Sequence, residues 1–96
     1  MDFRTLSKCR HAALIPTDSH KSFYGKAIVY TLPESNGYIL KSYDTFVCAY
    51  VNGKFHRLWN DYSATTQRHI NSFCAFCKIP GMGKAEWVKL PITHLF

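Results

Sequence analysis

Residues 55–77 read FHRLWNDYSATTQRHINSFCAFC, a strand, a tight corner and a capped amphipathic helix in one unbroken run. Ser63 stands where an N-cap is wanted for a helix over 64–77. Ile70, Phe73, Cys74 and Cys77 then fall at i, i+3, i+4 and i+7, one apolar stripe that Thr66 extends by a turn. Arg68, Ser72 and Ala75 point the other way, towards solvent. Asn60-Asp61-Tyr62 turns the corner before the cap.

Upstream, residues 45–51 (TFVCAYV) are continuously apolar and rich in β-formers, as a central strand requires. Asn52-Gly53 supplies the two positive φ angles of a type I′ hairpin. That turn sets Val51 opposite Lys54, Tyr50 opposite Phe55, Ala49 opposite His56 and Cys48 opposite Arg57. Continued, it sets Val47 opposite Leu58 and Phe46 opposite Trp59. Residues 23–32 and 38–42 are expected as two further strands, joined by a reversing loop over 33–37 (PESNG). A polar turn over 16–22 precedes them, and Tyr43-Asp44 makes the turn into the central strand. Downstream, Pro80-Gly81 ends the main helix, Gly83 opens a short second one through Leu90, and Pro91 closes it. The expected fold is α+β: an antiparallel β-meander of about four strands packed by one main C-terminal helix plus a short second helix, in a single domain over 1–96.

The hairpin register gives one face Phe46, Cys48, Tyr50, Phe55, Arg57 and Trp59, and the other Val47, Ala49, Val51, Lys54, His56 and Leu58. A half-wet antiparallel sheet alternates apolar and polar residues, and this one does not. The aromatic face has more area to bury and is expected against the helix. The second face then needs cover from the C-terminal piece (Trp87, Val88, Leu90, Ile92), from residues 12–15, from a second copy in a homo-oligomer, or from a partner.

Twelve Lys and Arg against six Asp and Glu leave a formal charge of +6, which suits nucleic acid, an acidic protein surface or anionic lipid. The cations are scattered, so a merely solvated surface explains them equally. Nothing reaches the ~20 apolar residues of a membrane span, and residues 1–16 hold too short an apolar core for a signal peptide. A cytoplasmic protein with reduced Cys9, Cys48, Cys74 and Cys77 is expected.

Several polar and aromatic groups gather near the corner. Arg57, Trp59, Tyr62, Thr65, Arg68 and His69, with Lys54 and His56 on the hairpin, are the candidate binding residues; Thr66 and Asn71 lie close by. Arg57 on an apolar face is either a structural cation, stacked on Trp59 or Tyr50 and bonded to a carbonyl, or a hand extended to phosphate or carboxylate near the helix start. His69 has no acid spaced to orient it, and the sequence holds no paired carboxylates, phosphate loop or H-E-x-x-H. No enzyme activity and no cofactor are expected. Cys74-Ala75-Phe76-Cys77 is a C-x-x-C whose thiols fall on the helix stripe, so core thiols are weighed against zinc and a redox dithiol, and no metal site is assigned. Basic residues interleaved with aromatics, as in Tyr24-Gly25-Lys26 and Lys54-Phe55-His56-Arg57, keep direct nucleic-acid binding open as the alternative function.

Ser22-Phe23-Tyr24-Gly25-Lys26-Ala27, Ser42-Tyr43-x-Thr45 and Arg57-x-Trp59-x-x-Tyr62-Ser63-Ala64-Thr65-Thr66-x-x-His69-Ile70-Asn71-x-Phe73 together resemble a small uncharacterised domain of phages and mobile elements of gut Firmicutes. The likeness covers about residues 22–90. It implies a non-enzymatic phage-type accessory protein in the cytoplasm of a bacterial host. Such a protein binds a host or phage protein or nucleoprotein, and by analogy inhibits host defence such as CRISPR effectors. The resemblance carries no catalytic residue.

Overall fold

The computed structural model describes residues 11–14, 25–32 and 37–93. Five antiparallel strands lie in chain order in one sheet: β1 (His11–Ala13), β2 (Ala27–Leu32), β3 (Gly37–Ser42), β4 (Thr45–Val51) and β5 (Lys54–Arg57). Helix α1 (Ala64–Phe76) and a short α2 (Lys84–Lys89) follow. The fold is α+β, as expected. The strand beyond the expected four is β1, three exposed residues paired with β2. The expected turn over 16–22, strand residues Phe23 and Tyr24, loop residues 33–36 and Cys9 lie outside the described residues. No described helix is long and apolar enough to cross a membrane.

Asn52 (φ 52°) and Gly53 (φ 78°) form the hairpin turn, and the four pairs from Val51–Lys54 to Cys48–Arg57 have the expected register. Beyond Cys48 the expectation fails. Leu40 pairs with Cys48 but Lys41 pairs with Phe46, so Val47 is an extra residue bulged out of β4. Its carbonyl oxygen accepts from both Leu58 N (2.9 Å) and Trp59 N (3.2 Å), and regular pairing stops at Arg57. The bulge resets the alternation, so Val47 joins Cys48 on the helix side and Phe46 turns to the opposite face.

The helix side holds the main core: Val29, Leu40, Val47, Cys48, Ile70, Phe73, Cys74 and Trp87, with Tyr50, Phe55 and Trp59 packed around it. The aromatic side of the hairpin therefore faces the helix, as expected, apart from Phe46. The C-terminal piece does not cover the second face: Trp87 and Leu90 pack on the helix side, and Val88 stays 48% exposed. Residue 14 also joins the helix side. On the outer face Leu32, Ile39 and Ala49 are buried among Tyr30, Phe46, Val51 and Leu58, so this face is packed rather than open.

Ser63 Oγ accepts from Thr66 N at 3.1 Å and caps α1 as expected. At the other end Lys78 takes the left-handed conformation (φ 63°). Ile79 N donates to Cys74 O (2.9 Å) and Lys78 N to Ala75 O (3.1 Å). This is a Schellman cap, so Lys78 ends the helix and Pro80-Gly81 merely starts the link to α2. Ser72, expected in solvent, is buried with Gln67 and His69. The buried arc of α1 is wide because both its flanks are occupied: Gln67 Nε2 donates to Met82 O at 3.1 Å on one side, and His69 meets Ser42 on the other.

Gly37 belongs to β3 rather than to a reversing loop. A Cβ there would lie 2.5 Å from the Tyr50 carbonyl oxygen and 2.8 Å from Val51 Cα. Both neighbours are backbone and neither can swing aside. Gly37→Ala is expected to destabilise the fold by about 2–3 kcal/mol, seen as a lower urea midpoint; an unchanged midpoint would show that β3 and β4 separate there at no cost.

Candidate functional site

Arg57 faces the core and is only 6% exposed. A guanidinium so placed must have its donors met, because a buried unpaired charge is costly. Nε donates to Trp59 O (3.0 Å), and one terminal nitrogen donates to Val88 O (3.3 Å) and Leu90 O (3.1 Å). The guanidinium carbon also lies 4.9 Å from the Trp87 ring centroid. Two of those acceptors sit at the C-terminal end of α2, where carbonyls lack intrahelical partners and the helix dipole favours a cation. Of the two roles weighed for Arg57, the structural cation holds, with Trp87 as its aromatic partner instead of Trp59 or Tyr50.

The remaining candidates separate into three places. Lys54 and His56 alternate with Phe55 and Arg57 and so lie on the outer face of the hairpin, away from α1. Trp59 and Tyr62 pack against the rim of the main core, and Lys84 Nζ lies 5.0 Å from the Tyr62 ring centroid. Thr65, Arg68 and His69 stay together on α1. Asn71 leaves the corner: its Oδ1 accepts from Met82 N (2.9 Å) and holds the link to α2.

What meets His69 is the end of β3. Ser42 Oγ lies 2.7 Å from His69 Nδ1 and 3.1 Å from Thr66 Oγ1. With the imidazole proton on Nε2, Thr66 donates to Ser42 and Ser42 donates to His69. None of the three is more than 4% exposed. The relay ties α1 to the sheet.

Around this relay lies a basic, aromatic surface. Tyr43, in a left-handed turn (φ 55°) and 47% exposed, sets its ring 5.7 Å from that of His69. Lys26 Nζ lies 5.5 Å from the Tyr43 centroid, and Tyr43 N donates to Lys26 O (2.7 Å). Exposed Arg68 and Thr65 project from the first turns of α1, which carry no acidic residue. Burial lowers the His69 pKa below the ordinary imidazole value, and the Arg68 and Lys26 charges lower it further. Lys26 and Arg68 are thus both close enough to act on this ring, and exposed Asp44 follows Tyr43 in the same turn.

Reasoning from sequence placed Thr65, Arg68 and His69 here but missed Lys26, Ser42 and Tyr43. Their only signal was membership of the short strings Tyr24-Gly25-Lys26 and Ser42-Tyr43-x-Thr45. Nothing in their spacing links them to a helix more than twenty residues away.

The buried imidazole makes stability depend on pH. In the unfolded chain His69 titrates near ~6.5, and in the fold it titrates lower. Below pH ~6.5 the unfolded state binds the extra proton, so stability is full above that pH and declines as pH falls towards the folded value. The urea midpoint of the wild type should drop between pH 7.5 and 5.5. His69→Asn, whose Oδ1 can accept from Ser42, should show a clearly shallower drop, whereas parallel slopes would assign the proton uptake elsewhere.

Cys48 and Cys74 are buried and Cys77 is half-buried, all as free thiols. Burial pushes Cys74 up to about 11, and burial with the neighbouring Cys74 pushes Cys77 up to about 12. Cys48 is raised too, by burial first and then by Cys74 and Cys77. Thiols kept protonated are poor nucleophiles. Among the described residues no three His, Cys, Asp or Glu side chains are grouped to hold a metal ion.

No curated protein and no solved structure matches the chain. A family model does: residues 13–89 match a family of unknown function, DUF8033, and the chain belongs to that family.

Proposed function

We propose that this member of DUF8033 is a non-catalytic binding protein that docks an anionic surface of a protein or nucleoprotein through the Lys26–Tyr43–Arg68 corner. The observation that carries the reading is the convergence of two cations and a half-exposed tyrosine on a sealed Ser42–Thr66–His69 relay. The relay ties α1 to β3 beneath this surface, and the cations supply complementarity to acidic side chains or phosphates. The net charge of +6 acts in the same direction. The phage-type resemblance supplies the setting: an accessory protein in a bacterial cytoplasm, acting on a host or phage assembly such as a defence complex.

A second reading, direct binding of single-stranded nucleic acid, draws on the outer face. There Tyr30 and Phe46 meet edge to face at 5.7 Å, His11 lies 5.3 Å from Tyr30, and Lys41 Nζ is 5.8 Å from the Phe46 centroid. Affinity capture from bacterial lysate with the wild type and a Lys26→Ala, Arg68→Ala double variant tests the first reading. Loss of a specific protein with the variant supports it, and equal recovery removes the corner. A salt-titrated gel shift with bare single-stranded DNA and RNA tests the second. Affinity falling steeply with salt and surviving the double variant would move the activity to the outer face.

A further inference from the structure

At the other end of β3 lies an open groove of about 470 Å³ that the corner does not use. Ser42 marks the corner end of β3, while Gly37 pairs with Val51 beside the hairpin turn. The floor of the groove is the cross-strand pair Tyr50 and Phe55. One wall is the link between the helices, from Ile79 to Met82, which Asn71 and Gln67 hold through hydrogen bonds to both backbone groups of Met82. The other wall is Glu86 of α2 and Leu90, the C-cap residue that follows it. Its walls are therefore pinned before any ligand arrives.

The lining is apolar and aromatic with a single charged side chain, the exposed Glu86, which makes no hydrogen bond or ion pair among the described residues. Glu86 is the one carboxylate among the lining residues, on a short helix that also carries Lys84 and Lys89 outside the lining. A neutral apolar group would gain nothing from Glu86. A cation on an apolar stem lays its methylenes over the Tyr50 and Phe55 rings and brings its charge to the carboxylate. A free amine of a few atoms has little surface to bury, whereas a peptide presenting the same side chain adds contacts along an open groove.

We propose that this groove is a second binding site, taking a lysine-type side chain flanked by apolar residues on a partner protein. It stands apart from the anion-binding corner and does not depend on it. The test is a titration of the ¹⁵N-labelled full chain with capped Phe-Lys-Phe and with capped Phe-norleucine-Phe, its neutral isostere. The lysine peptide should shift the amides of Gly53, Gly81 and Glu86 saturably and bind roughly threefold or more tightly than the norleucine peptide. Glu86→Gln, an exposed substitution checked for an unchanged spectrum elsewhere, should erase that preference. Lys26→Ala, Arg68→Ala should leave it intact, so failure of the corner and failure of the groove are separable. Equal binding of the two peptides, a lysine preference that survives Glu86→Gln, shifts confined to other residues, or no saturable shift would each overturn the assignment.

Discussion

Arg57→Ala is expected to destabilise the protein by about 3–4 kcal/mol, measured by urea denaturation at neutral pH. The substitution removes a buried side chain and leaves the carbonyls of Trp59, Val88 and Leu90 without these donors. It also opens a space against the Trp87 ring. Arg57→Lys keeps a charge but has no planar fork to reach the same carbonyls, so it should recover only part of the loss. The same variant separates the two roles weighed for this residue. If Arg57 were a ligand-binding hand, Arg57→Ala would fold as stably as the wild type and lose only binding.

Trp87→Ala should be the most damaging single change, about 3–5 kcal/mol, a large share of the 5–15 kcal/mol that holds a typical domain together. Trp87 is fully buried, lies edge-on to Phe55 at 6.4 Å, and donates from Nε1 to Asp61 O at 2.8 Å. It is also the one buried residue of α2, a six-residue helix too short to form by itself in water. Losing the indole should therefore detach α2, the carbonyls that bind Arg57, and the wall of the groove that carries Glu86. Trp87→Phe keeps much of the packing and forfeits the Asp61 bond, so a loss nearer 1–2 kcal/mol is expected. Because Arg57 and Trp87 touch, their alanine losses should fall short of additive by on the order of 1 kcal/mol. Strict additivity would show that the stacking contributes nothing.

Much of this architecture is local chemistry and could be read from the chain. Asn52-Gly53 supplies its own positive φ angles, Ser63 meets the free amide of Thr66, and the spacing of Ile70, Phe73 and Cys74 selects one side of α1. Each depends on neighbours a few residues away. The α+β class and the hairpin register from Val51–Lys54 to Cys48–Arg57 therefore follow from the sequence alone.

The Val47 bulge could not be foreseen, because residues 45–51 are apolar throughout. A slip in alternation leaves a mark only where polar and apolar positions differ. Phe46 and Val47 thus exchanged faces without any change in pattern. The fate of Arg57 was decided by Val88, Leu90 and Trp87, thirty or more residues away, and the corner was assembled only when Ser42 met Thr66 and His69 across the packed layers. Turns and caps are governed by short-range sterics and single hydrogen bonds, so sequence specifies them directly. The meeting of distant polar groups depends on which surfaces hydrophobic burial brings together, and only the packed chain decides that.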